Sequence, residues 1–580
     1  MCGIVGYCGK PVLAKKIVQV LKKLEYRGYD SSGIAGFSSK GYCCFKALSE
    51  ICNLEKVLPK SQKFCCAIAH TRWATHGKPT IKNAHPHLAG KWAIVHNGII
   101  ENAKKLCDLN HIDTDAQTDT ELLAQFLSKT TDAEIGDFVH AFQKVQGSYA
   151  IVAQNQKMPN TLFLAKNKSP LYAAVDENQN FLVASDPICF ENFAKKYYSL
   201  ADNEFAIISN KKIIFYNKSA KKIIKKLIST SNENNFSNKE GYLHFMLKEI
   251  FEQPKAILKQ IDSYKKQKSL FMFDQKFLNC FDFAHFVGCG SAFHACQIGA
   301  NLFEEILGFP SKAEVASEFL VNPKTHSFKK TLFVLVSQSG ETADTLLAQD
   351  MIKKHGGKCL VITNVLYSTL AQKSDFCLGL YAGPEVAVAS TKAYVCQLCA
   401  LYALAMRFKG KSPKKIFDDL SSVSDSILSF DMQKLDEIAK RIALKQNVVF
   451  VGKGLDFITA REAALKVQEI SYINALAVPA GELKHGYLAI IEENTPVFVF
   501  ATNKDLCSKT LHAAQEASSR GGDVFLVSPF CEDIKISSFS KYLMPILAIA
   551  PMQYLAYKVS AEKKLNPDKP RNLAKSVTVE

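Results

Sequence analysis

The sequence has no run of residues suited to crossing a bilayer. Its longest apolar stretch, Tyr542 to Tyr557, is short for a span and is interrupted by Pro545 and Pro551. It reads as a buried strand followed by a core helix. No basic segment followed by an apolar one stands at the start, so no signal peptide is expected. The 18 cysteines show neither a disulfide-scaffold spacing nor a paired Cys-x-x-Cys zinc pattern. Reduced thiols in the cytoplasm, with no metal site, are the expectation. A zinc finger, an RNA-recognition motif, a basic zipper and a helix-turn-helix are all missing. The formal net charge of +17 is spread over dispersed lysines, which suits anionic small substrates better than nucleic acid. The absence of a Gly-Lys-Ser/Thr phosphate loop argues against a nucleoside triphosphate.

What is present divides the chain. At 580 residues it is too long for one core. Residues 229–240 are polar, without helical or strand period, and read as a linker. Before them, short apolar strands at 3–8, 33–37, 66–70, 92–96, 149–153, 162–165, 181–184 and 205–208 alternate with turns, and helices are predicted at 11–24 and 119–128. That is a strand-rich α+β unit. After the linker the pattern becomes strand–loop–helix, the mark of a parallel sheet, and it repeats. Phe286-Val287-Gly288-Cys289-Gly290 matches Phe450-Val451-Gly452-Lys453-Gly454 at an offset of 164, and Phe333–Val336 matches Val497–Phe500 at the same offset. Val361-Ile362 matches Leu526-Val527 one residue further on. Two copies of a doubly wound domain are predicted.

Several clusters carry chemistry. If Met1 is trimmed, Cys2 holds a thiol and a free α-amine on one residue, a nucleophile beside its own base. Arg72 can grip a carboxylate with two parallel hydrogen bonds. Asp119 could bind an α-amino group or simply sit at a helix N-terminus. The Asn97 amide and the Gly98 N–H could form an oxyanion hole. In the first repeat, Ser337, Gln338, Ser339 and Thr342 stand where a buried strand gives way to a helix, a good phosphate cradle. The second repeat has Ala501-Thr502-Asn503 there and must contribute something else. Glu462, Lys466 and Glu469 share one helical face, as a solvated stripe or as part of a substrate cleft. His485, in the polar loop Gly481–Gly486, could shuttle a proton.

Read together, Cys2-Gly3-Ile4-Val5-Gly6, Tyr26–Ser31, Arg72–Gly77, His96-Asn97-Gly98, Ser337–Thr342, Ser390-Thr391-Lys392, Gly481–Gly486 and Pro570–Glu580 make the whole chain resemble the glutamine–fructose-6-phosphate aminotransferase (isomerizing), or glucosamine-6-phosphate synthase, family of bacterial type. The resemblance implies an α+β N-terminal-nucleophile glutaminase domain at 1–228, with antiparallel sheets sandwiched by helices. After the 229–240 linker it implies two α/β doubly wound parallel-sheet sugar-isomerase (SIS) domains, at 241–425 and 426–569, and a tail at 570–580 that completes the active site. The implied reaction turns L-glutamine and fructose 6-phosphate into glucosamine 6-phosphate and glutamate, in the cytoplasm, without a cofactor. Ammonia would pass through an internal channel.

The same resemblance implies individual roles. Cys2 is the nucleophile, Asn97 and Gly98 are the oxyanion hole, and Arg72, Thr75, His76, Gly98 and Asp119 bind glutamine. Trp73 gates the channel. Ser337, Gln338, Ser339 and Thr342 hold phosphate, and Ser291 and Ser390 touch the sugar. His485 opens the ring from the second subunit of a homodimer. Lys575 forms a Schiff base, and Glu469 moves the proton with help from Lys466 and Glu462. Three positions depart from the family pattern: Ala292 in place of serine, Tyr487 in place of proline, and Ala387 in place of a common glycine. No long insert of the eukaryotic type is present, so feedback inhibition by a nucleotide sugar is not expected.

Overall fold

A computed structural model describes residues 2–38, 41–73, 77–209, 211–229, 238–321 and 327–578. The chain forms two compact units, Met1–Phe236 with Ala574–Glu580, and Ser237–Leu573. Most of the expected linker lies outside the described residues.

The first unit is built on two antiparallel sheets. One has eight strands, with Gly3–Leu13 between Phe181–Ala184 and Lys63–Arg72; the other has seven, with Trp92–Ile100 beside Gly147–Asn155. Side chains alternate across each strand, and the alternation sets the layers. Ile4, Cys8 and Ile68 of the first sheet meet Val95, Ala150 and Val152 of the second in one core. On the opposite face, Val5, Tyr7, Ala67 and Ala69 pack with Ile17, Val18 and Leu21 of helix Ala14–Lys22. The outer face of the second sheet, with Ile94, Tyr149 and Ile151, packs with Leu123, Phe126 and Leu127 of helix Asp119–Thr130. The order is helix, sheet, sheet, helix. The helix expected from residue 11 starts at Ala14, because the first strand runs on to Leu13, where it pairs with Lys63.

The second unit holds two five-stranded parallel sheets of identical strand order, so the repeat is structural. Strand Phe283–Gly288 corresponds to Asn447–Gly452, and Thr331–Ser337 to Pro496–Phe500. Val334 and Val336 face a core shared by both copies, and so do their counterparts Phe498 and Phe500. The other faces bury Phe333 and Leu335 in one copy, Val497 and Val499 in the other. The expected strand before the helix near residue 550 does not form. A single helix runs Met544–Glu562, buried almost throughout. Pro545 falls in its first turn, where no N–H is needed, and the burial of this largely apolar helix outweighs the hydrogen bond lost at Pro551.

The copies differ at one turn. In the second, the carboxylate of Asp456 accepts the Thr502 backbone N–H at 2.9 Å and the Thr502 hydroxyl. Asp456 corresponds to Ala292, and Thr502 to Gln338, at the repeat offset. An internal carboxylate thus occupies this turn in the second copy, whereas an alanine stands at its position in the first. Burial lifts the Asp456 carboxyl from 3.8 to about 6 against these hydrogen bonds. A raised folded-state pKa favours folding at low pH, and that advantage is lost as pH rises from 3.8 through 6. Asp456→Asn, which keeps an acceptor for the Thr502 N–H, should therefore gain on the wild type by about 1.4 kcal/mol between pH 5 and pH 7.5, measured as the difference in urea unfolding of the full chain.

Candidate active sites

In the first unit, Cys2 lies at the start of the central strand. Its Sγ accepts the Trp73 N–H at 3.3 Å, and the Asn97 amide donates to the Cys2 carbonyl at 2.8 Å. Burial pushes the Cys2 thiol up, while the Trp73 N–H and the Arg72 charge act in the opposite direction. Asn97 thus anchors the backbone of Cys2. Gly98 has a φ of +136°, and a Cβ there would lie 2.0 Å from the Ser148 carbonyl oxygen, so only glycine fits. Arg72 ends the strand Lys63–Arg72 and donates to the carbonyls of Gly77 at 3.2 Å and Lys78 at 3.5 Å. Burial lowers its pKa, and the charges of Cys2, Asp30 and Asp119 oppose the shift. Trp73 stands edge-on to Tyr29 at 5.7 Å. Thr75 and His76 lie outside the described residues.

Asp119 is the first residue of helix Asp119–Thr130, behind a Thr118 cap. Its carboxylate accepts the N–H groups of Ile100 at 2.9 Å and Thr120 at 2.8 Å. Its charge also reaches Cys2 and Arg72. The helix-end reading of this residue is the one the structure shows.

Two features of the first unit escaped the sequence reading. The Arg27 guanidinium, buried, pairs with Asp186 and donates to the Tyr26 hydroxyl at 3.0 Å, while Ser185 Oγ accepts the Ile4 N–H at 3.1 Å. This fixes the strand that carries Cys2. Beside Asn97 lie four buried histidines. His70 stacks on His85 with ring centres 3.9 Å apart, His70 Nε2 meets the His96 carbonyl at 3.0 Å, and His87 meets the Thr118 hydroxyl at 3.2 Å. Burial lowers the pKa of all four, to about 3 for His87. They are neutral spacers at pH 7. The only sequence signal was a set of polar residues interrupting apolar strands.

In the second unit, the turn after strand Thr331–Ser337 is held open by its own bonds. Ser337 Oγ accepts the Gly340 N–H at 3.0 Å and lies 3.1 Å from Thr342 Oγ1, and Ser339 Oγ accepts the Glu341 N–H at 3.2 Å. Gly340 has a φ of +64°, and a Cβ would lie 2.0 Å from Ser368 Oγ. Gln338 holds the neighbouring strand through its carbonyl, which accepts the Asn364 N–H at 3.1 Å. Helix Ala343–Lys354 follows, so its N-terminus faces this turn. Ser291 opens helix Ser291–Leu302 at the end of the adjacent parallel strand. Both lie at the carboxyl edge of the sheet, where open α/β folds bind ligands.

Glu462 and Lys466, on helix Leu455–Ser471, are wholly buried; Glu469 is partly exposed. Lys466 Nζ reaches Ser291 Oγ at 3.1 Å, Glu469 Oε2 at 2.7 Å and Glu462 Oε1 at 3.4 Å. The stripe is therefore an ion network in the interior, not a solvated surface. Burial would drive Glu462 up, but Lys466 and a hydrogen bond from His294 hold it below the ordinary carboxylate range. The two flanking carboxylates keep Lys466 protonated in spite of its burial. The Ser390 hydroxyl donates to Glu385 at 3.1 Å. His485 lies on an exposed turn, its N–H bonded to the Glu482 carbonyl at 2.9 Å. Lys575 belongs to the tail segment grouped with the first unit.

Residues 70–192 match the glutamine amidotransferase domain family, and residues 280–407 and 441–530 match the SIS domain family. The glutamine–fructose-6-phosphate aminotransferases (isomerizing) of Fusobacterium nucleatum and Clostridium tetani are 36% and 38% identical to this chain, each over 100% of both sequences. The chain belongs to this aminotransferase family. The C-terminal domain of glucosamine-fructose-6-phosphate aminotransferase from Francisella tularensis is 32% identical, with a TM-score of 0.53, and covers 58% of this chain and 100% of its own. The family's two domain types are the α+β unit and the paired parallel-sheet copies described above. Among the described residues no helix is long and apolar enough to cross a membrane, and no cluster of three metal-ligating side chains occurs.

Removing the buried ammonium should expose the strength of the network. Lys466→Met leaves two carboxylates without their cation and should destabilise the chain by about 3–5 kcal/mol. Adding Glu462→Gln to that variant should recover part of the loss, read as urea unfolding midpoints of the two proteins.

Proposed function

We propose that the chain converts L-glutamine and fructose 6-phosphate into glutamate and glucosamine 6-phosphate, the entry into amino-sugar synthesis. The observation that carries this reading is one chain of an aminotransferase family in which a partly buried Cys2 accepts a backbone N–H and a Lys466–Glu469 pair reaches Ser291, at the end of the strand next to the one that leads into the Ser337–Thr342 turn. In the first unit the Cys2 thiolate attacks the glutamine amide carbon once Met1 has been removed. The freed α-amine takes the thiol proton and delivers it to the departing nitrogen. Asn97 and the Gly98 N–H stabilise the oxyanion. Ammonia leaves, and water splits the thioester to glutamate. Arg72 pairs with the α-carboxylate of glutamine, Asp119 with its α-amine, and Thr75 and His76 complete that set.

Ammonia gated by Trp73 is consumed in the second unit before water protonates it. Ser337, Gln338, Ser339 and Thr342 hold the phosphate, and Ser291 and Ser390 hold sugar hydroxyls. His485 moves the proton that opens the ring. Lys575 forms a Schiff base at C2 with loss of water, and ammonia displaces the lysine. Glu469 then takes a proton from C1 and returns it to C2 while the C1 hydroxyl proton passes to the imine nitrogen, which leaves an aldehyde at C1 and an amine at C2. Lys466 and Glu462 fix that carboxylate. The turn at Gly481–Gly486 is exposed, which supports a homodimer with His485 supplied to the partner's site. Free thiols on all 18 cysteines support a cytoplasmic location.

Cys2→Ala should abolish glutamine-dependent synthesis while fructose 6-phosphate still binds, measured by product formation and by calorimetry. Full retention of synthesis contradicts the amidase role. Glu469→Gln and His485→Asn homodimers should each be inactive. Mixed after dissociation, they should regain about a quarter of wild-type synthesis, because half the dimers are hybrids and each hybrid has one intact site.

A further inference from the structure

The two repeats pack helix Ser291–Leu302 against helix Leu455–Ser471, and these helices are counterparts at the repeat offset. Gln297 marks the local axis: its Oε1 accepts from Arg461 Nη1 at 2.7 Å, and the two residues are separated by the offset of 164 itself. His294 Nδ1 lies 2.7 Å from Glu462 Oε2. The counterpart of His294 is Ile458, and the counterpart of Glu462 is Ile298. Both isoleucines are buried in the core common to the two copies. At the positions related by the repeat, the chain carries two buried isoleucines in one case, and an imidazole and a fully buried carboxylate in the other.

A buried ion costs stability unless all its partners are in place, and an apolar pair of similar volume is generally as good or better. The repeat-related positions, one helix turn away on each helix, are buried isoleucines. The polar pair therefore calls for a reason other than packing. Glu462 is held ionised, so it can only accept, and the His294 tautomer carries its proton on Nδ1. Glu462 in turn meets Lys466 at 3.4 Å, and Lys466 meets Glu469 at 2.7 Å. Glu469 is the member of this chain that has access to solvent.

We propose that His294 is a positioning residue for the sugar reaction: by donating from Nδ1 it fixes the Glu462 carboxylate, which sets the direction of the Lys466 ammonium and through it the carboxylate of Glu469. This rests on the reading of Glu469 as the base that works at C1 and C2. His294 acts through Glu462, and its effect falls on the rate of proton transfer, not on phosphate binding at Ser337–Thr342.

The test compares two neutral amides in the full-length chain. In His294→Asn the amide nitrogen takes the place of Nδ1; in His294→Gln it takes the place of Nε2. H294N should retain most of the synthesis rate. H294Q should lose about 10- to 100-fold in kcat, as misplacement of a reacting group by a fraction of an ångström does. For H294Q, KM for fructose 6-phosphate and the rate of glutamine hydrolysis should stay near wild type. Equal rates for the two variants, whether both high or both low, overturn the proposal. Glu469→Gln is run in parallel. If it keeps synthesis, the reading of the site itself fails; if it loses synthesis while H294Q does not, only the role of His294 falls.

Discussion

Lys466 carries a full positive charge with no access to water, and the second unit is arranged around that fact. An ammonium in such a place is stable only if acceptors surround it. Glu462 and Glu469 come from the same helix, and Ser291 comes from the counterpart helix of the other repeat. The network therefore exists only when both copies are folded and packed on their common core. Duplication of a sheet provides two glycine turns and two helix N-termini. The copies have diverged: the first presents the hydroxyl-rich Ser337–Thr342 turn, and the second carries the buried ion network on helix Leu455–Ser471 while Asp456 fills its own turn.

The first unit follows the same principle with different groups. Its nucleophile candidate sits at the beginning of a central strand, where Trp73, Asn97 and the Arg27–Asp186 pair fix the backbone around it. Polar side chains are buried there in number, four histidines among them. They are held neutral by desolvation and joined to carbonyls and hydroxyls. The charges of Arg72 and Asp119 both act on Cys2, in opposite directions.

Much of this was legible in the sequence, because it rests on local pattern. Alternating apolar residues located the strands of the first unit, and the constant offset located the repeat. The Ser337–Thr342 turn stood out by its concentration of hydroxyls after a buried strand. Other features depend on contacts between distant residues and leave no local trace. Glu462 and Lys466 have the spacing of a solvated stripe, and only the packing of one copy on the other shows them to be interior. Asp456 looks like an ordinary acid in a first helical turn until Thr502 is brought to it. His294 carries no signal of its own. The helix Met544–Glu562 was misread in part because two prolines suggested a break, whereas one falls in a permissive first turn and the other is outweighed by burial.

The central claim is that nitrogen taken from an amide in one unit is used in the other without mixing with the solvent. Ammonia is a nucleophile only when unprotonated, and at neutral pH water protonates most of it, so direct delivery gives the pairing of these two units its purpose. The direct measurement supplies glutamine labelled with nitrogen-15 at the amide, together with fructose 6-phosphate and an excess of unlabelled ammonium, and weighs the aminohexose phosphate formed. The account predicts that the product carries the label almost completely. A product diluted to the isotopic composition of the bulk ammonium, or one without label, would contradict it.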